Sequence, residues 1–194
     1  MLEKFKQIKS PEELIKFLIE NISTGYVGKN GKVYYPSNQD YDSDLKAQYL
    51  VQDAKNVLKS GLGTCFEYAR VASECFRNTD YNFQTFFLYY DTSYDTYGNN
   101  NKPTHAFLVF KREEKWYWFE ASFIRHAGIH EYKTLESLLK DVKHKVAQYD
   151  IKTNHATKEE TRSIKFIQYE CIPGIVSIIE FLDNIFNGGN EIVV

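Results

Sequence analysis

The sequence predicts an α+β fold, and three observations carry that expectation. Strand-like runs follow one another at Phe83 to Tyr90, His105 to Phe110 and Trp116 to Ala121, each rich in aromatic and β-branched residues. Apolar residues at helical spacing occupy the stretches before and after them. Aromatics are abundant (15 Tyr, 14 Phe, 2 Trp) while Met and Pro are scarce, which suits packed sheets and a groove better than a helical bundle. At 194 residues, 43% of them hydrophobic, the chain is expected to form a single domain spanning 1–194.

The elements follow in order. Ser10-Pro11-Glu12-Glu13 reads as an N-cap followed by proline in the first turn, so a helix is expected over about 11 to 22. Gly25, Gly28 and Gly31 mark an irregular stretch with a short strand at Val33-Tyr34-Tyr35. Leu45, Tyr49, Leu50, Ala54, Val57 and Leu58 predict one amphipathic helix over 42 to 59, stopped by Gly61-Leu62-Gly63. A third helix starts at once, with Phe66, Ala69, Ala72 and Phe76 on one face. The first two strand runs are separated by about fourteen polar residues, Asp91 to Thr104, whose tyrosines (Tyr94, Tyr97) suit a lid as well as a plain polar loop. Lys111-Arg112-Glu113-Glu114 is a hairpin turn, and helices are expected at about 134 to 147 and 174 to 187.

Several function classes fall away. Net charge is −2 with no long basic block, which leaves nothing to neutralise a nucleic-acid backbone. No stretch reaches the roughly 18 apolar residues of a membrane span and Met1 to Lys9 lacks a signal-peptide core, so no membrane and a cytoplasmic location are expected. Three widely spaced cysteines (65, 75, 171) fit free thiols in a reducing compartment. His126 and His130 stand four apart, but Gly128 between them argues against a helix and no third ligand matches, so they read as loop histidines; no metal and no cofactor are expected. On the last helix Ile175, Ile179, Leu182 and Phe186 form an apolar face whose default use is the core, with dimerisation as the minority reading.

The chemistry centres on Cys65. Thr64-Cys65-Phe66-Glu67 has the form of a capping box, which puts the cysteine in the first helical position. Unpaired amides and the helix dipole there favour thiolate, and the Cys65 N–H itself is placed to hold an oxyanion. Gly61 and Gly63 are expected to let a substrate carbonyl approach the backbone. A thiolate needs a base, and the base needs an orienting group. If the hairpin closes with Phe110 opposite Lys115, paired numbers sum to 225 and His105 falls opposite Glu120, within carboxylate–imidazole reach. An even loop is required, since an odd one would put the two residues on opposite faces. Gln48 and Gln52, expected on the preceding helix, have the chemistry of a second oxyanion donor, though a plain surface glutamine is the favoured reading of each.

Gly61-Leu62-Gly63-Thr64-Cys65 resembles the cysteine helix start of the transglutaminase-like superfamily. His105-Ala106-Phe107-Leu108 resembles its histidine strand, and Lys115 to Glu120 its Trp-containing strand ending in an acid. The resemblance covers about 45 to 125 and implies a papain-like core in which the cysteine helix packs on an antiparallel sheet, with additional N- and C-terminal helices. It further implies a cysteine hydrolase or acyltransferase acting on an amide bond of a protein or peptide through a thioester, with Cys65, His105 and Glu120 as catalytic residues. The family's acid is usually Asp; the Glu here supports the alternative of a catalytically decayed protein-binding module.

Overall fold

The computed structural model describes residues 1–91 and 102–194; the expected lid tyrosines Tyr94 and Tyr97 lie outside them. The chain is a mixed α+β protein built on a six-stranded antiparallel sheet. Its strands are β1 (Asn82–Tyr90), β2 (His105–Arg112), β3 (Lys115–Glu120), β4 (Gly128–Tyr132), β5 (Ile164–Tyr169) and β6 (Asn190–Ile192), in the spatial order β6-β5-β1-β2-β3-β4. The helices are α1 (Leu2–Phe5), α2 (Pro11–Asn21), α3 (Tyr41–Gln48), α4 (Ala54–Ser60), α5 (Cys65–Phe76), α6 (Leu135–Lys152) and α7 (Ile178–Gly188).

Strand alternation sends successive side chains to opposite faces and gives the sheet two packed sides. Leu108, Phe110, Tyr117 and Phe119 face α2, α4 and α5 through Leu14, Leu18, Val57, Val71 and Phe76. Phe107, Val109 and Trp118 point the other way, onto Leu138, Leu139 and Val142 of α6. A third cluster joins Phe66 and Phe87 to Ile178, Phe181 and Ile185 of α7; of the apolar face expected there, Leu182 and Phe186 pack half-buried against this cluster, while Ile175, which precedes the helix, and Ile179 are exposed. Fully burying an aromatic side chain of this size stabilises by about 2–3 kcal/mol, which makes these clusters the main support of the layers.

The helix expected over 42 to 59 is two helices. Its periodicity spans a real break, in which Leu50–Val51 runs extended and pairs with Val176–Ser177. Asp53 then caps a new helix, its carboxylate accepting from the Asn56 N–H at 2.9 Å. Gly61 ends α4 in the left-handed conformation (φ 69°), where a side chain would be strained. The central sheet also has strands that the sequence did not single out, β4, β5 and β6. His130 is therefore a strand residue and not a loop histidine; its Nε2 meets the His126 carbonyl at 2.7 Å.

The hairpin register differs from expectation by two. Arg112 pairs with Lys115 and Leu108 with Phe119, so paired numbers sum to 227, because the two-residue turn is Glu113-Glu114, both with positive φ (50° and 63°). The loop is even, but His105 lies level with Ser122, and Glu120 stands one diagonal step away on the same face.

Arg70, one of the few buried charges, ties distant segments together. Its guanidinium donates to the carbonyls of Val51 (3.2 Å), Gln52 (2.9 Å), Ile172 (2.6 Å) and Gly174 (2.6 Å). Among the described residues no helix is long and apolar enough to cross a membrane.

Candidate active site

The N-terminus of α5 approaches the end of the sheet where β2 begins. Cys65 is the first residue of that helix, and Thr64 is its N-cap. The cap is held by Glu67, a carboxylate only 1% exposed. It accepts from the Thr64 N–H (2.8 Å) and hydroxyl (2.9 Å), the Tyr49 hydroxyl (2.5 Å) and the Gln52 N–H (3.0 Å). Burial raises its pKa and these donors oppose the rise. The glycines serve this cap from inside: a Cβ on Gly63 would lie 2.9 Å from the Glu67 Cβ, so Gly63 makes room for the capping side chain, whereas a role in admitting substrate was expected.

His105, the first residue of β2, and Glu120, the last of β3, project to the face that α6 covers, beside Phe107 and Trp118. The Glu120 Oε2 and His105 Nε2 atoms are 2.7 Å apart. The other carboxylate oxygen accepts from the Ser122 N–H (2.8 Å), the Ser122 hydroxyl (3.0 Å) and the Phe123 N–H (2.7 Å). The chain turns immediately after β3 and folds these amides onto the carboxylate, which fixes its orientation completely. The diagonal register makes the longer side chain of Glu appropriate here, because diagonal positions are about 7–8 Å apart against about 5 Å for directly opposed ones.

The electrostatics follow from this packing. Burial alone would lower the His105 pKa, but the Glu120 charge, a hydrogen bond with Cys65 and the hydrogen bond with Glu120 overcome it and raise it to about 10. For Glu120, burial works upward, yet the His105 charge and its hydrogen bonds hold the carboxyl below its ordinary value. With Nε2 occupied by Glu120, Nδ1 is the ring nitrogen left for the thiol.

Cys65 and His105 border one cavity of about 260 Å³ at this end of the sheet. Tyr41, Thr64, Tyr68, Phe123, Tyr149 and Asp150 also line it. Neither Gln48 nor Gln52 does. Gln48 ends α3 with its Cβ side over Gly28, and the Gln52 side-chain amide is spent on the Leu50 carbonyl at 3.0 Å. The other thiols have different surroundings. Burial pushes Cys75 up to about 11, and Cys171 is likewise raised by burial, with its sulfur 3.7 Å from the Ser73 hydroxyl.

Several cavity residues were not singled out by the sequence, Tyr41 and Asp150 among them. Tyr41 stands on α3, its hydroxyl raised to about 12 by burial and then by the proximity of Cys65. Asp150 lies beyond the helix expected over 134 to 147, in the last turn of α6, where it is only 2% exposed. Among the described residues no group of three His, Cys, Asp or Glu is placed to hold a metal ion. Comparison with protein-family models, with curated proteins and with solved structures gives no match.

Proposed function

We propose that the chain is a cysteine hydrolase or acyltransferase of papain-like, transglutaminase-like organisation that attacks an amide bond of a protein or peptide. The observation that carries this reading is the 2.7 Å contact between the buried Glu120 and His105, with His105 lining the same cavity as Cys65 at the head of α5. A buried imidazole with a fixed carboxylate on one nitrogen is a base turned toward whatever meets the other.

In this reading His105 takes the Cys65 thiol proton, and the sulfur attacks the amide carbonyl carbon. The developing oxyanion is held by the Cys65 N–H in the first turn of α5. The imidazolium, neutralised by Glu120, gives its proton to the leaving nitrogen as the C–N bond breaks, which leaves a thioester. Water or an amine then attacks the thioester, with His105 again removing the proton, and the thiol is regenerated. No metal or cofactor has a part in these steps. The joint placement of the three side chains supports this reading over a decayed binding module, for which separate environments would be expected.

The test is the order of thiol reactivity. With iodoacetamide at pH 6 to 7, Cys65 is expected to alkylate at least about tenfold faster than Cys75 and Cys171, as peptide mass spectrometry reads site by site. Equal labelling of all three thiols contradicts the proposal.

A further inference from the structure

The cavity has a second polar feature, which the steps above do not use. Asp150 sits in the last turn of α6, at the negative end of the helix dipole, and is buried. A carboxylate is disfavoured there on both counts. Its Oδ2 accepts one hydrogen bond, from the Tyr90 hydroxyl at 2.5 Å, and no described residue gives a hydrogen bond to Oδ1. Nearby positive groups are engaged elsewhere. The Lys102 ammonium pairs with Glu160 at 2.7 Å and reaches the His155 carbonyl at 3.3 Å, while His155 Nδ1 lies 2.9 Å from the Thr153 hydroxyl. His105 has its own counter-ion in Glu120. No lysine or arginine is among the described residues lining the cavity; the lining includes the aromatic residues Tyr41, Tyr68 and Phe123, and Tyr149, whose ring already has the Arg125 guanidinium at 5.3 Å. A carboxylate among aromatic faces is the chemistry that receives an alkylammonium group, by ion pairing and by cation–π attraction.

We infer that Asp150 and the aromatic walls form a specificity pocket for a cationic nitrogen group carried by the substrate close to the carbonyl that Cys65 attacks. The pocket and the sulfur share about 260 Å³, room for little more than one side chain, so the charge and the carbonyl belong to the same or adjoining residues of the substrate. The inference rests on the proposed function and adds the substrate class, an amide flanked by a basic side chain.

Three small thiol reagents that differ in charge test it: the cationic 2-aminoethyl, the anionic 2-sulfonatoethyl and the neutral methyl methanethiosulfonates. Rates at Cys65 are read by mass spectrometry and divided by the rate of each reagent with 2-mercaptoethanol. The normalised cation-to-anion ratio in the unaltered protein is expected to be about tenfold or more, as a focused negative site gives. Asp150→Asn, which still offers Tyr90 an acceptor, should lower that ratio at least about threefold and leave the neutral rate within about twofold. Asp150→Ser is a second variant read in the same way. A ratio near one in the unaltered protein overturns the inference without any variant, and so does an unchanged ratio in the variants while Cys65 remains the fastest thiol toward the neutral reagent. If the neutral reagent labels all three cysteines alike, the proposed function fails, and this inference fails with it.

Discussion

Glu120 is paired with His105, and its removal has a measurable signature. Glu120→Gln keeps an acceptor for the Ser122 and Phe123 amides but loses the charge that offsets the burial of His105. The histidine pKa, followed by NMR titration, should fall by more than about one unit, and Cys65 alkylation at pH 7 should slow about tenfold or more. A His105 pKa that stays put would mean that the carboxylate is only structural. The same-face relation of these two residues was legible from the sequence, because any even hairpin loop preserves it. The register was not. Glutamates at 113 and 114 occupy left-handed positions that Asn-Gly would have advertised and that two acidic side chains do not. An offset of two residues leaves the faces unchanged, so the contact between His105 and Glu120 survived an error in where the hairpin turned.

At the scale of elements, α5 depends on its first turn. Glu67 collects donors from Thr64, Tyr49 and Gln52, three neighbours on other parts of the chain or in the cap. Glu67→Ala leaves them without an acceptor in a buried place and should cost about 2–3 kcal/mol, measured as a drop in unfolding free energy in urea. Cys65 alkylation should slow in the same variant, since the sulfur's position is set by that cap; a loss of stability with unchanged reactivity would separate the two roles. The capping box was readable because its residues are adjacent in sequence. The break between α3 and α4 was not, since Leu50 and Val51 satisfy helical spacing while their extended conformation is imposed by Val176 and Ser177, more than a hundred positions away. Similarly, β5 is an interior strand next to the sheet's edge, yet Lys165 and Gln168 interrupt its apolar run and conceal it. Tertiary pairing decided these elements, and local pattern could not report it.

For the whole molecule, the buried ionisable groups set how stability varies with pH. His105 has its folded pKa raised from 6.5 to about 10, so its contribution is complete below about 6.5 and is lost as pH rises toward 10. Glu120 is depressed below 4.5, so its contribution is present above that value and lost as pH falls through the folded pKa. Burial raises Glu67 and Asp150, whose ionisation on going upward in pH works against the fold. The stability maximum should therefore lie on the acid side of neutrality, between about pH 5 and 6.5. A thermal midpoint that declines from there toward pH 9, with a flatter decline in His105→Asn, is the expected calorimetric result. A maximum near pH 9 would reverse the sign assigned to His105. The α+β class and the aromatic core were visible in the composition and the strand runs; the two-sided sheet needed β5 and β6 in place.

Arg70 gives this architecture a dependence on chain order. Two of its four carbonyl partners, Ile172 and Gly174, emerge from the ribosome about a hundred residues after it does. Until they arrive, the helix that carries Cys65 has half its buried guanidinium idle, so that during synthesis the support of that helix is among the last parts of the molecule to become complete.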